Sequence, residues 1–345
     1  MAGVMSGQQI PVEIERLVRS LFQRDARSEL EPLAGGASDR WYLRMRGPAA
    51  REIAGSDSLV VMGVAPGLLH ALAAYSSVQD FLQRHGVRVP TRYLEWPDSG
   101  VHLIEDLGNT TLTEALGDPS VRDGLHQRAV GLLAVMHDVK PEPGDPCTAL
   151  RLHFDEGKWL FEFGFHVRRW LIDAYYGVIP TPGERTVLET AWRWISRELA
   201  AQPRVFTHRD YQSSNLMVLP DGSLAVIDFQ DARMGFAGYD LASLLWDSYT
   251  TISDDERAEL IGLYLSERHV GIDRVEFDRL LRVAAIQRKL HDVGAFAYTA
   301  FHRGKTSYLQ YIPGTMRVVI DLMESVDETR DASAVLVDLS NRSGR

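Results

Sequence analysis

His208-Arg209-Asp210-Tyr211-Gln212-Ser213-Ser214-Asn215, followed downstream by Ile227-Asp228-Phe229, contains the residues of this chain best suited to chemistry. Asp210 is a carboxylate that could accept the proton of an alcohol. Asn215 and Asp228 offer an amide oxygen and a second carboxylate, both hard donors suited to Mg2+. A proton acceptor followed by two magnesium ligands, in this order and spacing, is what phosphoryl transfer from ATP requires. A lone His-Arg-Asp, or a lone aspartate after an apolar strand, would mean little, since aspartate is a common turn former. The combination carries the reading.

The flanking segments supply the means of positioning. Val205-Phe206 leads into the loop, and Leu216-Met217-Val218-Leu219 leaves it. Pro220-Asp221-Gly222 is a turn, and Leu224-Ala225-Val226-Ile227 returns to the second aspartate. Asp-Gly is a favoured two-residue hairpin loop. With Asp221 and Gly222 as that loop, Leu216 should face Ile227 and Asn215 should face Asp228, their Cβ atoms about 5 Å apart.

The chain has 345 residues, 45% of them hydrophobic, so it can build a large core and two lobes. Its formal net charge of -10 argues against a nucleic-acid partner, because phosphate backbones need basic faces. The single cysteine, Cys147, excludes an internal disulfide and any thiolate-rich metal site. It also fits a reducing compartment. The segment from Met1 to Pro11 lacks the charged start and apolar core of a signal peptide, and no apolar run is long enough for a membrane span. A cytoplasmic protein is expected, with no membrane partner. The assembly state stays open.

Ile14, Leu17, Val18, Leu21 and Phe22 recur at helical spacing, which predicts an opening helix. Strand-like runs follow at Leu33-Ala34, Trp41 to Met45 and Leu59 to Met62. A helix is expected from about Leu68 to Arg84, ending at Gly86, and then a hairpin across Tyr93 to Ile104. After Asp106-Leu107-Gly108 the pattern turns helical. The expectation is an α+β, protein-kinase-like two-lobed fold. Residues 1–105 would form a small sheet-rich N-terminal nucleotide-binding lobe, and 106–326 a larger helical catalytic and substrate lobe. The remainder, 327–345, reads as a polar, mobile tail. A nucleotide would lie in the cleft, its adenine edge bonding the backbone of Glu105, Asp106 and Leu107.

The loop, the run Ile227-Asp228-Phe229-Gln230-Asp231-Ala232-Arg233 and the stretch Tyr239-Asp240-Leu241-Ala242-Ser243-Leu244-Leu245 resemble the aminoglycoside phosphotransferase and choline kinase superfamily. More narrowly they resemble its bacterial anomeric N-acetylmuramate/N-acetylglucosamine kinases. Leu103 to Gly108 and Gln287-Arg288-Lys289-Leu290 extend the likeness over most of the chain. The resemblance implies ATP and Mg2+ as cofactors and a small-molecule amino sugar as the partner. It implies Asp210 as base, Asn215 and Asp228 as metal ligands, and His208 and Asp240 as supports of the catalytic loop. Gln230 and Asp231 could face the sugar or lie on a solvated loop. Arg288 and Lys289 could form an electropositive wall for an anionic sugar or pair with nearby acids such as Asp292.

Two departures concern the nucleotide. The strand Leu59-Val60-Val61-Met62-Gly63-Val64 lacks the lysine that protein kinases and many antibiotic kinases use on the phosphates. Arg44 or Arg46 on the neighbouring strand could substitute, or could be surface charges. Gly35 and Gly36 lie in a segment only faintly like a phosphate-covering glycine loop. An aminoglycoside, choline or another alcohol as substrate, and a catalytically inactive binding module, remain as alternatives. A protein kinase is disfavoured because no activation segment ending in Ala-Pro-Glu follows Asp228.

Overall fold

The computed structural model describes residue 16 and residues 29–33, 40–119, 122–268 and 273–345. The expected opening helix lies outside the described residues except for Arg16, and Gly35 and Gly36 also fall outside them.

An antiparallel sheet begins the described chain, in the order β1 (Glu29–Pro32), β2 (Arg40–Arg46), β3 (Ser58–Val64), β5 (Val101–Glu105), β4 (Arg92–Trp96). Side chains alternate across a strand, so β3 serves two cores. Val60, Met62 and Val64 pack with Tyr75, Val78 and Phe81 of helix α2 (Leu69–Arg84). Leu59 and Val61 join Leu43, Met45 and Leu103 on the other face, beneath a short helix α1 (Pro48–Ala54). The sequence reading missed α1. Pro48 opens it, where a missing N–H costs nothing, and left-handed Gly55 closes it. Helix α2 ends as expected: Gly86 has φ 75°, and Val87 N–H returns to the Leu82 carbonyl at 3.0 Å.

From Asp106 onward the chain is mostly helical. Helix α3 spans Arg122–His137, and α4 (Glu156–Glu162) opens out into a π-helical segment, Phe163–Tyr176. Helix α5 (Pro182–Ala200) starts with a reciprocal capping box of Thr181 and Glu184. After the segment from Arg204 to Phe236 come α6 (Gly238–Leu245), α7 (Asp254–Arg268) and the long α8 (Arg274–Phe301). Nineteen residues of α8 are buried, so it is the spine of the larger lobe. Gly294 lies where α8 crosses the π-helical segment, and a Cβ there would strike the His166 backbone.

Two helices complete the lobe, α9 (Ile312–Glu324) and α10 (Arg330–Ser343). Helix α10 corrects the expectation of a mobile tail. Ala332, Leu336 and Leu339 form a buried stripe, and Arg342 pairs with Glu184 of α5 at 2.9 Å. The segment is polar in composition but apolar along one face. None of the described helices is long and apolar enough to cross a membrane.

Candidate active site

Strand β6 (Arg204–Thr207) pairs with β9 (Arg233–Phe236) and delivers the chain into the loop. Asp240, fully buried in the first turn of α6, then receives it. One carboxylate oxygen accepts from the His208 N–H at 2.6 Å, the other from the Arg209 N–H at 2.9 Å. His137 also contacts Asp240, at 3.2 Å. Asp240 therefore meets the backbone of His208 and Arg209, not their side chains. The His208 ring spans the site: its Nδ1 accepts from the Asp210 N–H at 3.2 Å, and its Nε2 donates to the Ile227 carbonyl at 2.9 Å.

Asn215 ends a single 3-10 turn, Ser213–Asn215, and its Nδ2 donates to the Asp210 carbonyl at 2.9 Å. That bond commits the amide nitrogen and leaves Oδ1 for another partner. Strands β7 (Leu216–Val218) and β8 (Leu224–Val226) then form the hairpin. Its register differs from the expected one. Leu216 faces Val226, and Ile227 N–H bonds the Asn215 carbonyl at 3.0 Å. The turn is one residue longer than two. Gly222 N–H bonds the Leu219 carbonyl, and Leu219 N–H bonds the Ser223 carbonyl. Pro220 has the fixed φ that suits an early turn position, and Gly222 takes the left-handed one at φ 78°. Asn215 thus opposes Ile227, and Asp228 lies one residue beyond.

Asp228 has φ 64° and Arg209 has φ 80°, and they are the two non-glycine residues with positive φ among those described. Such conformations cost about 1–3 kcal/mol each and persist where surrounding bonds over-determine them, commonly at functional sites. Arg209 immediately precedes Asp210, and Asp228 immediately follows Ile227, whose N–H bonds the Asn215 carbonyl.

Electrostatics sort the charged residues. Burial alone would push Asp210 up. Arg288, whose Nη1 lies 2.6 Å from Oδ1, together with Arg209 and His291, instead holds the carboxyl well below the usual carboxylate range. Arg288 also reaches Asp292 at 2.8 Å. Lys289, 2% exposed, is tied to Asp292 at 2.6 Å and to Ser248. Lys289 thus lies inside a neutralised cluster and is not an open cationic wall, because a buried ammonium must be paired. Glu162 forms a second polar cluster with Lys158, His166 and His291, and its carboxylate lies 3.6 Å from Arg209. Burial and His291 lower His166 to about 4. Gln230 donates to both Asp228 and Asp231, and Asp231 is mostly exposed.

A cavity of about 560 Å3 opens where the segment linking the lobes meets the β7–β8 turn. Arg44, Glu105, Leu107 and Leu219 line it. Leu107 joins Met217 and Ala225 in a small apolar cluster behind the cavity. One expectation changes here. Arg44 is committed, bonding Asp106 at 2.6 and 2.9 Å and the Gly108 carbonyl at 3.1 Å. The Glu105 carboxylate pairs with Arg88 at 2.8 Å, and its backbone N–H bonds the Thr91 carbonyl at 2.8 Å.

Arg40 escaped the sequence reading. It opens β2, is 9% exposed, and bonds Asp228 through Nη2. The period of two places it in a row with Tyr42, Arg44 and Arg46, which was the available signal.

Residues 29–277 match the phosphotransferase enzyme family, described by that name. The chain belongs to this family. Among characterised proteins, it is 29% identical to the N-acetylmuramate/N-acetylglucosamine kinase of Pseudomonas aeruginosa, covering 90% of this chain and 89% of that one. It is also 29% identical to the enzyme of the same name from Neisseria meningitidis, over 82% and 84% of the two chains. Among solved structures, a choline/ethanolamine kinase family protein from Mesorhizobium loti matches with TM-score 0.62 and 16% identity, covering 94% of this phosphotransferase and 99% of that chain. An ADP-bound aminoglycoside phosphotransferase matches with TM-score 0.61 and 14% identity, over 89% and 97%. These two likenesses establish the two-lobed kinase fold of this phosphotransferase.

Two hard oxygen donors of this phosphotransferase would suit a divalent cation. Asn215 has a free amide oxygen, and Asp228 has a 41% exposed side chain whose carboxylate is already matched to a cation, Arg40.

Proposed function

We propose that this chain is an ATP- and Mg2+-dependent kinase that phosphorylates an amino sugar, N-acetylmuramate or N-acetylglucosamine, at its anomeric hydroxyl. The support for kinase chemistry is the loop held by Asp240, with Asp210 and Asn215 on it and the strained Asp228 beside it. The support for the sugar is the shared name of the relatives, which match along most of the chain. Drawing on ATP, the enzyme works in the cytoplasm.

Asp210 receives the sugar hydroxyl and aligns its oxygen with the γ-phosphate. Arg288 fixes the carboxylate rotamer and keeps it anionic. A hemiacetal hydroxyl is more acidic than a simple alcohol, so a weak base serves, and the loose transition state calls for the proton late. Asn215 and Asp228 would hold Mg2+, which neutralises charge on the transferred phosphoryl when bound. The backbone of Glu105 and Leu107 takes the adenine edge over Met217. Gln230 and Asp231, next to Asp228 in sequence, face the sugar, and Arg288 acts through Asp210.

The test is a panel assay. Purified protein, ATP and Mg2+ are incubated with N-acetylmuramate, N-acetylglucosamine, an aminoglycoside and choline, and the phosphorylated atom is assigned by phosphorus NMR. A sugar 1-phosphate is the expected product. Turnover confined to choline or the aminoglycoside would refute the sugar, and no ADP with any acceptor would refute the enzyme.

A further inference from the structure

Strand β3 carries no cation for a triphosphate, and the arginines of β2 are not equivalent. Arg44 is held by Asp106 and the Gly108 carbonyl. Arg46 is exposed at the far end of the strand, opposite Ser58. Arg40 is different in three respects. Its side chain is 6% exposed, so its charge has been taken out of water. Its only described ion-pair partner is Asp228, proposed above as a metal ligand and so adjacent to the phosphates. Its Nε and Nη1 are buried without a hydrogen-bond partner among the described residues.

An unmet buried donor is costly, and two on one guanidinium call for an acceptor that the described residues do not supply. A guanidinium is a rigid fork of five donors and stays charged at any working pH, so the acceptor it suits is a phosphate with several oxygens. Arg40 pairs with Val64 across the β2–β3 ladder, which puts it beside the strand where a lysine is missing.

We propose that Arg40 grips the triphosphate of the nucleotide in this chain, supplying from β2 the charge that β3 lacks. The assignment rests on the kinase reading and identifies its phosphate-binding residue. Arg40 acts on binding and alignment of the nucleotide and takes no proton.

The experiment is calorimetric titration of the full chain with MgATP and with adenosine, without any sugar. Arg40→Met should weaken MgATP binding at least tenfold and leave adenosine affinity within twofold. Arg40→Lys should fall between wild type and Arg40→Met, since an ammonium keeps the charge but loses the fork. The surface variant Arg51→Gln is the control, and thermal melts establish that each variant is folded. Wild-type MgATP affinity in folded Arg40→Met would overturn the assignment, as would equal losses for MgATP and adenosine. If Arg40→Met does not fold, Arg40→Lys decides, and unchanged MgATP affinity there overturns it. Failure of the wild type to bind either ligand would overturn the kinase reading and this assignment together.

Discussion

Replacing Asp240 by asparagine separates what its shape does from what its two acceptor oxygens do. The aspartate offers one oxygen to the His208 N–H at 2.6 Å and the other to the Arg209 N–H at 2.9 Å. An asparagine of the same outline keeps one acceptor and turns an NH2 toward the second donor. One backbone N–H is then left buried and opposed, at about 1–3 kcal/mol, and the charge-assisted bonds lose about 1.5–3 kcal/mol more. Arg209 holds φ 80°, a conformation that costs about 1–3 kcal/mol and that these bonds help to enforce. Once the restraint weakens, the loop should relax toward negative φ and carry Asp210 with it. If about 3 kcal/mol of this appears in the transition state, turnover falls ~150-fold. The assay is steady-state kinetics with saturating ATP, beside nucleotide affinity and a thermal melt. We expect kcat to drop by two orders of magnitude, with ATP affinity nearly unchanged because Asp240 bonds none of the residues that line the cavity beside Glu105. A folded Asp240→Asn protein within fivefold of wild-type kcat would refute the reasoning.

Other outcomes follow from the same geometry. Asp210→Asn and Asp228→Ala should each lose more than about a hundredfold in turnover while remaining folded, measured by ADP release with the sugar present. Arg288 and Arg209 hold Asp210 ionised well below the usual carboxylate range, so wild-type rate should show no acid limb from this group between pH 5 and 8. Arg288→Met should let the Asp210 pKa rise, and an acid limb should then move upward in the pH–rate profile. His102 is lowered to about 4 by burial and by Arg92, against the opposing pull of Glu95 and Asp80. The unfolded chain therefore takes up a proton near pH 6.5 that the folded chain refuses until about 4. Stability should fall with pH across that window, and His102→Gln should flatten the fall in Tm. Gly294→Ala should destabilise by about 1–3 kcal/mol in denaturant melts, because the new methyl meets His166 backbone instead of a yielding side chain.

What could be read from the sequence was chemistry carried by neighbouring residues. The His208 to Asn215 loop, Asp228 and Asp240 were visible because their types and spacing state their task, and α2 because a 3.6-residue period and Gly86 mark its face and end. Relations set by a single backbone conformation were not. The β7–β8 register depended on whether Gly222 closed a two- or three-residue turn, and one residue of difference moved Asp228 past Asn215. Choosing among Arg40, Arg44 and Arg46 needed the partners of each, and Asp106 is far from Arg44 in sequence. Lys289 could be read as an open cation or as a partner of Asp292, one helical turn on, and only the folded packing decides for the pair. Helix α10 was hidden because its composition is polar, although its apolar residues fall on one side.

Asp240 lies well downstream of the loop it holds, so His208 and Arg209 are synthesised before their acceptor exists. A nascent chain that stops short of α6 has every reactive group of the loop but lacks the carboxylate that receives the His208 and Arg209 N–H groups. Competence should therefore arrive late in biogenesis, when α6 docks. By the same logic, local melting of that helix would silence the enzyme while the sheet lobe was still intact.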